Sequence, residues 1–297
     1  MSGPPAQPGV SVVLSTFNYS AVLPYSIASA LAQSVAPLEV LVVGDHCTDD
    51  SEEVVARTGD DRVRFINLAT HTGIQSGPNN EGLAQARGDI IAYLGHDDLW
   101  LPDHLAHLAP ALAGGADVAY EMALLVTPGR STTVAPAQAY RPGLCIPPTV
   151  LAHWRTASDR VGGWRLLDQL HMSPDNDISA RMHSAGLRMQ FVPRVGAIKF
   201  AAAHRPGVYQ ERPCHEQAAW AARLSREPDL EAAETARLLG PGSLASAAAG
   251  AAGGDLITTL TRELARRARY RLTARYRHRS RDFRRFYADI QREKGLP

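Results

Sequence analysis

The chain has few of the features that mark secreted or membrane-spanning proteins. Its 297 residues include 3 cysteines, Cys47, Cys145 and Cys214. They are far apart, odd in number and without a metal-ligand spacing, which excludes a disulfide framework and a zinc site. No uninterrupted apolar run approaches the roughly 20 residues that a membrane helix requires. Residues 1–9 are rich in proline and glycine and lack the segments of a signal peptide, so they predict a flexible leader on a cytoplasmic protein.

Lysine is also scarce, and arginine carries the basic charge. Only Lys199 and Lys294 are lysines, whereas 262–285 holds eleven arginines against two acids. Because the whole chain carries a net charge of +1, this basic stretch leaves an acidic remainder. Apolar residues recur through 256–290 at helical spacing, so we predict a basic amphipathic helix within a helical extension, 211–297.

This helix has three interpretations. It packs on the acidic body or on a second subunit of a homodimer, or it lies on an anionic membrane surface at the inner face of the membrane. Nucleic-acid binding is the least favoured, because no nucleic-acid fold motif accompanies the arginines, and we expect no such partner.

Upstream of this extension, short apolar runs alternate with helical patterns. The runs are 10–14, 39–43, 63–66 and 90–94. This alternation predicts an α/β fold with a mostly parallel, doubly wound sheet flanked by helices. Ligands bind outside the carboxyl ends of such strands, where the loops 15–20, 44–51 and 95–100 should meet.

An acidic pair follows the fourth apolar run. Asp97 and Asp98 stand after a short β-branched strand and ahead of Pro102, which can begin a helix. One interpretation is that they cap this helix. Adjacent carboxylates at a buried strand end repel one another unless a cation or a polar ligand compensates, so we favour a metal and phosphate site.

Several segments resemble, in the same order, those of family 2 glycosyltransferases of the GT-A fold. The matching segments are 10–18 (VSVVLSTFN), 43–51 (VGDHCTDDS), 80–89 (NEGLAQARGD), 94–102 (LGHDDLWLP), and 163–164 (GW) followed by 174–177 (PDND). The resemblance covers about residues 10–205 and implies a GT-A catalytic domain over 10–210. It implies an enzyme that transfers a sugar, with inversion, from a nucleotide-sugar donor, a UDP-sugar being favoured. The acceptor hydroxyl would belong to a carbohydrate or a lipid-linked molecule in polysaccharide or glycoconjugate assembly.

The resemblance also implies donor-binding residues. Asp45 would accept a hydrogen bond from the nucleotide base, with Thr16 nearby, while Asp49 more simply serves the turn. Asp98 would bind a divalent metal, Mn²⁺ or Mg²⁺, and Asp97 would contact the ribose or the metal. Such an ion neutralises the charge that grows on the departing diphosphate.

Other residues would act at the acceptor side and at the phosphates. Asp175 matches the general base that removes the proton from the acceptor hydroxyl, and Asp177 is the second choice. Both also suit a helix first turn, where the helix dipole favours acids. His204 would be a further metal ligand and Arg205 a phosphate contact, or both belong to a surface loop. Trp164 forms either a sugar platform or core packing.

The chain departs from the family pattern at four positions. Gly95 and Gly44 stand where aspartate is common, Ser15 where proline is common, and Asn79 where arginine is common. A sugar-phosphate nucleotidyltransferase and a non-catalytic carbohydrate-binding scaffold are the alternatives. A nucleotidyltransferase of this kind usually has a glycine-rich basic loop after the first strand, and residues 15–20 form no such loop. A non-catalytic scaffold would tolerate loss of Asp98 and Asp175, whereas both are present.

Overall fold

A computed structural model describes residues 8–128, 133–136, 138–202, 205–239 and 280–296. Its centre is one sheet of nine strands. The strands are β1 (Val10–Thr16), β2 (Glu39–Gly44), β3 (Val63–Asn67), β4 (Ile90–Gly95), β5 (Leu99–Trp100), β6 (Val118–Val126), β7 (Thr133–Ala135), β8 (Leu151–Trp154) and β9 (Met189–Phe200). The four apolar runs recognised in the sequence are therefore all strands.

The sheet has a parallel half and a mixed half. Its order is β3-β2-β1-β4-β8-β6-β9-β5, with β7 added to β6. β1 pairs in parallel with both β2 and β4, and β2 pairs in parallel with β3. Beyond β4, β8 runs antiparallel to β4 and β6, whereas β9 is parallel to β6. The carboxyl ends of β1, β2 and β4 consequently meet at one edge.

Ten α-helices accompany these strands within the described ranges. They are α1 (Leu23–Leu31), α2 (Ser51–Ala56), α3 (Ser76–Gln85), α4 (His104–Ala113), α5 (Arg155–Val161), α6 (Pro174–Ser184), α7 (Val208–Glu211), α8 (His215–Arg226), α9 (Leu230–Leu239) and α10 (Ser280–Lys294). As the sequence predicts, α6 begins with Pro174 as its first residue. The fixed φ of proline suits this position, where its missing N–H is not needed.

Burial explains why the central strands have continuous apolar sequences. Every residue of β2 is buried, and all but one residue in each of β1 and β4 is buried. Strands covered on both faces need apolar side chains at successive positions. β3 lies at the sheet edge and none of its residues is fully buried.

Three local features differ from the prediction. The helix after the acidic pair begins at His104 instead of Pro102, because Leu99 and Trp100 first pair with β9. The apolar segments 188–192 and 195–200 predict two strands, whereas Met189–Phe200 form the single strand β9, whose register to β6 shifts near Met122. A two-residue strand has no periodicity, so the sequence alone gives no sign of β5.

The helical extension lies partly within the described residues. α8 and α9 pack on the sheet, since Trp220 and Leu230 share an apolar cluster with Leu99 and Phe200. Residues 240–279, which include most of the predicted basic helix, lie outside the described residues, and so does most of the predicted leader, 1–7. No helix in the described ranges has both the length and the hydrophobicity needed to cross a bilayer.

Candidate functional site

The ends of β1, β2 and β4 are joined by hydrogen bonds. The Asp45 N–H donates to the Thr16 carbonyl at 2.8 Å. His96 Nδ1 lies 3.1 Å from the Thr16 hydroxyl, and both side chains are buried. Burial lowers the pKa of His96 to about 4, which leaves its ring neutral near pH 7. Thr16, predicted to contact a donor, therefore fixes the edge on which the acidic residues stand.

The Asp45 carboxylate organises a neighbouring loop. One oxygen accepts hydrogen bonds from the N–H and hydroxyl of Thr72, both at 2.8 Å. The other accepts from the Gly73 N–H at 2.9 Å and lies 3.1 Å from His71 Nδ1. Asp45 is only 3% exposed. It therefore fixes the loop 71–73 against the end of β2.

A ring pair that the sequence analysis missed lies beside this loop. The rings of Phe17 and His71 have centroids 4.2 Å apart and an interplanar angle of 32°. Phe17 follows Thr16 at the end of β1 and is partly exposed. In the sequence, this pair is indicated by an aromatic residue directly after a predicted buried strand. Such a flat surface can stack on a planar base.

Asp49 serves the turn, as the sequence predicts. Its carboxylate accepts from the Ser20 N–H at 3.0 Å and from the Ser51 hydroxyl at 2.6 Å. It thereby connects the loop after β1 to the start of α2.

The two acids after β4 have different surroundings. Asp98 is completely buried, and its oxygens accept from Lys199 Nζ at 2.8 Å and from the Phe200 N–H at 3.0 Å. Asp97 is partly exposed, and its backbone carbonyl accepts from the Gln217 side chain at 3.2 Å. Of the two, Asp97 is therefore the carboxylate that a ligand at this edge can approach.

Close packing accounts for both glycines that replace a common aspartate. A Cβ at position 95 would lie 2.9 Å from Asp98 Oδ2. A Cβ at position 44 would lie 2.7 Å from the side-chain oxygen of Asn67. Asn67 uses that oxygen to bind the Cys47 N–H at 2.8 Å. Side chains from neighbouring segments thus fill the space that an acid would need.

The acids at this edge offer few ligands for a divalent ion. In the described part of the chain, no group of three or more His, Cys, Asp or Glu side chains could hold a metal. Mg²⁺ is commonly bound by one or two carboxylates together with substrate phosphates. Asp97 fits an ion of that kind, shared with a diphosphate, whereas Asp98 is engaged by Lys199. His204, the other predicted ligand, lies outside the described residues.

Asp175 stands in the first turn of α6 and is partly exposed. Its Oδ2 lies 3.2 Å from the thiol sulfur of Cys145, which donates to it. The helix N-terminus favours the charged carboxylate at this position. This partly exposed carboxylate at a helix N-terminus has the position of a proton acceptor.

Asp177 plays a different part, although it lies on the same helix turn. It is 5% exposed and is bonded to Arg181 at 2.7 Å and to Arg165 at 3.2 Å. Arg181 in turn donates to the carbonyls of Val161 and Gly163. Asp177 therefore holds the loop after α5 in place.

The Gly163-Trp164 segment is part of the protein core. The Asn80 side chain binds the backbone N–H and carbonyl of Trp164, each at 2.8 Å. The indole N–H donates to the Tyr93 hydroxyl at 3.0 Å, and Trp164 is 2% exposed. Of the two interpretations of this tryptophan, core packing is the one observed.

Arg205 is engaged within the fold. Its guanidinium forms a bidentate pair with Glu216, at 2.7 and 2.9 Å, and donates to the carbonyls of Val126 and Ala201. It is 8% exposed. Its hydrogen-bonding groups join the end of β6 to α8 instead of facing the acidic edge.

The C-terminal helix α10 reaches this same edge. Gln291 donates to the Gly73 carbonyl at 2.8 Å. Tyr287 packs with Ile74, Leu167 and Leu170. Burial raises the pKa of Tyr287, and the carboxylates of Asp175 and Asp45 raise it further. Tyr287 therefore interacts electrostatically with the acids at both ends of the site.

A cleft opens beside α10. It has a volume of about 350 Å³ and is lined by Thr72, Leu166, Leu167 and Asp168. Leu166 is 42% exposed, which is unusual among the large apolar side chains of the described residues. The cleft therefore joins an apolar wall to the loop that Asp45 holds.

Comparison with known proteins places these features in a family. The family model for glycosyl transferase family 2 matches residues 11–163. The succinoglycan biosynthesis protein ExoO of Rhizobium meliloti is 38% identical over 115 residues, which are 38% of this chain and 33% of that protein. The GalNAc(5)-diNAcBac-PP-undecaprenol beta-1,3-glucosyltransferase of Campylobacter jejuni is 33% identical over 103 residues, 34% of this chain and 33% of that protein. The chain thus spans a third of the length of each of these relatives.

The fold agrees with that assignment. The crystal structure of S. aureus TarS 1-349 in complex with UDP-GlcNAc superposes with a TM-score of 0.55 at 19% identity, covering 65% of this chain and 58% of that one. This likeness shows the shared GT-A architecture of a curled, mostly parallel sheet flanked by helices. Because the family model matches more than half of the residues, the chain belongs to glycosyl transferase family 2.

Proposed function

We propose that the protein transfers a sugar from a nucleotide-sugar donor, a UDP-sugar, to an acceptor hydroxyl with inversion at the anomeric carbon. One observation supports this most directly. Asp45 follows β2, Asp97 follows β4 and Asp175 begins α6, and Tyr287 and Lys199 between them interact with all three. These shared electrostatic partners support the proposal that acids from three separate segments border one site.

The donor nucleoside would lie at the loop that Asp45 holds. The Phe17 ring offers its surface to the base, and His71 stands beside it. Asp45 accepts from Thr72 and Gly73 and so fixes the backbone that borders this position. The preference for a uridine donor is that a carboxylate suits the imide N–H of uracil, and Asp45 would exchange one of its contacts with the loop 71–73 for this bond.

The transfer itself requires a base and a leaving group. The Asp175 carboxylate takes the proton of the acceptor hydroxyl, whose oxygen attacks the anomeric carbon from the face opposite the diphosphate. The bond between that carbon and the diphosphate oxygen breaks, and the nucleoside diphosphate leaves with the electron pair. A bound Mn²⁺ or Mg²⁺ would stabilise the charge of the diphosphate, and Asp97 is the residue that would hold it.

The acceptor is proposed from the relatives and from the cleft. The Campylobacter jejuni relative is named for an undecaprenol-linked acceptor and the Rhizobium meliloti relative for succinoglycan synthesis. The exposed Leu166 and its neighbour Leu167 give the cleft an apolar wall beside Asp168. We therefore favour a carbohydrate acceptor carried on a lipid, with the basic stretch 262–285 bringing the protein to the inner face of a membrane. We also propose that the chain forms a homodimer.

A calorimetric titration of the purified chain with UDP, GDP and dTDP, each with and without Mn²⁺, tests the donor site. We expect one nucleotide to bind, and we expect Asp97→Asn to weaken the effect of Mn²⁺ on its binding. Asp103→Asn is the matched control, because Asp103 is an exposed acid in the turn before α4. A chain that binds none of the three nucleotides would favour the non-catalytic scaffold.

A further inference from the structure

Lys199 stands at the acidic edge and was not selected by the sequence analysis. It is one of only two lysines in the chain. Its Nζ lies 2.8 Å from Asp98 Oδ2. The Lys199 side chain is 28% exposed, whereas that of Asp98 is fully enclosed. The ammonium therefore lies between a buried carboxylate and the surface of the site.

The surroundings of Lys199 are the groups proposed to act on the donor and the acceptor. Asp97 and Asp175 both stabilise its positive charge electrostatically, in addition to Asp98. An ammonium group carries three N–H donors, and Asp98 is its one hydrogen-bond partner among the described residues. Lys199 therefore has the position and the donors to bind a second anionic group.

Stabilisation of the fold is a weak reason for this arrangement. Taking both charges of a buried pair out of water offsets most of their attraction, so such pairs add little net stability. Ion pairs elsewhere in the described structure use arginine or histidine as the cation. Lysine is a compact point charge with rotatable donors, which suits a phosphate oxygen.

The acidic edge also has less negative charge than its sequence suggests. Gly95 carries no acid, and a Cβ there would meet Asp98. Asp98 is neutralised by Lys199, which leaves Asp97 as the acid of this segment that can face a ligand. A diphosphate that approaches this edge thus meets a fixed cation as well as a carboxylate.

We propose that Lys199 binds the diphosphate of the donor and stabilises the departing nucleoside diphosphate, so that binding of the nucleotide does not depend wholly on a divalent ion. The proposal rests on the proposed function, since it needs a nucleotide donor at this edge. Asp98 then positions Lys199 instead of binding the metal.

Calorimetry on the full chain distinguishes these roles, with UDP and uridine as probes, in EDTA and in Mn²⁺. In EDTA we expect the wild type to bind UDP at least about tenfold more tightly than uridine, because a charge-assisted contact to phosphate is strong. Lys199→Met should weaken UDP binding by about tenfold and change uridine binding by less than about twofold. Lys199→Arg should recover part of the affinity for UDP, since the charge is kept.

Asp98→Asn distinguishes a partner of Lys199 from a metal ligand, because the two roles predict different effects on UDP binding. If Lys199 binds the diphosphate, Asp98→Asn keeps or raises the affinity for UDP in EDTA, because the amide oxygen can still accept from Lys199 while the counter-charge is removed. If Asp98 is a metal ligand, the variant loses the increase that Mn²⁺ gives. If Lys199→Met binds UDP in EDTA as tightly as the wild type, the proposal for Lys199 is wrong and the proposed function is unaffected. The same conclusion follows if the wild type binds UDP only with Mn²⁺. A wild type that binds neither probe under any condition overturns the proposed function as well.

Discussion

Gln291 donates its side-chain amide to the carbonyl of Gly73 at 2.8 Å, while the N–H of Gly73 donates to Asp45 at 2.9 Å. The C-terminal helix is therefore joined through one residue to the carboxylate proposed to lie at the donor base. Tyr287, one turn earlier on that helix, packs on Ile74 in the same loop. The C-terminal helix thus packs on the loop of the proposed donor site instead of forming an independent appendage.

The first prediction concerns this contact. Gln291→Ala should raise the Kd for UDP by about fivefold, because a lost hydrogen bond of about 1 kcal/mol leaves the loop 71–73 less ordered. Calorimetric titration measures the change. Arg292→Ala is the control, since Arg292 is exposed and pairs with Asp289 on its own helix. Equal affinity in the two variants would show that α10 does not support the nucleotide site.

The second prediction separates the two acids of α6. Asp175→Asn should lower kcat about a thousandfold with little change in thermal stability, because the amide cannot accept the acceptor proton. Asp177→Asn should instead lower the free energy of unfolding by about 3 kcal/mol, because Arg181 loses a buried partner. Transfer assays and thermal denaturation of both variants test the contrast. A large loss of kcat in a fully stable Asp177→Asn protein would make Asp177 the base.

The sequence predicted what depends on local pattern. The four parallel strands were visible because buried strands are continuously apolar, and α6 because Pro174 and two acids mark its first turn. The pairings of Arg205 with Glu216 and of Asp98 with Lys199 were not predictable, because they join residues that only the fold brings together. A motif identifies an acid, whereas its partner decides whether the acid can still bind a ligand.

The third prediction is a decline in stability at mildly alkaline pH. Glu121 is completely buried between His104 and His107. Burial raises the pKa of Glu121 from 4.5 to about 8. The folded protein then holds a proton that the unfolded chain has released, so stability falls as the pH rises towards 8. The decrease is about 1.4 kcal/mol per pH unit, or about 2 kcal/mol between pH 6.5 and 8.

Below pH 6.5 the sign reverses. Burial lowers the pKa of His104 to about 3 and those of His96 and His153 to about 4, from 6.5. The unfolded chain then binds more protons than the folded one, so stability falls as the pH falls. Between pH 4.5 and 6.5 the effect of Glu121 on stability is opposite in sign to that of the three histidines, and it cancels the contribution of about one of them. Maximum stability is therefore expected near pH 6.5.

Thermal denaturation from pH 5 to 9 measures this profile. Glu121→Gln should remove the decline between pH 6.5 and 8 and steepen the loss below pH 6.5, because Glu121 no longer offsets one of the histidines. Glu227→Gln is the control, because Glu227 is partly exposed, with a side chain 42% accessible, and pairs with Arg223. A decline that persists unchanged in Glu121→Gln would assign it to another group.

The last prediction restores the acid that the family commonly has at position 95. Gly95→Asp should lower the free energy of unfolding by about 2 kcal/mol, because its Cβ would lie 2.9 Å from Asp98 Oδ2 and a third carboxylate would join Asp97 and Asp98. Gly95→Ala adds the Cβ without a charge, so it should lower the free energy of unfolding by less than Gly95→Asp. The double variant Gly95→Asp/Asp98→Asn should regain the electrostatic part of the lost unfolding free energy, because Lys199 then faces one buried charge.

If Gly95→Asp were as stable as the wild type and bound Mn²⁺ more tightly in the presence of UDP, the edge would accommodate a larger metal site than its packing indicates. If it is destabilised and the double variant recovers, the glycine, the buried aspartate and the lysine form one arrangement, in which a fixed cation replaces an acid of the family pattern.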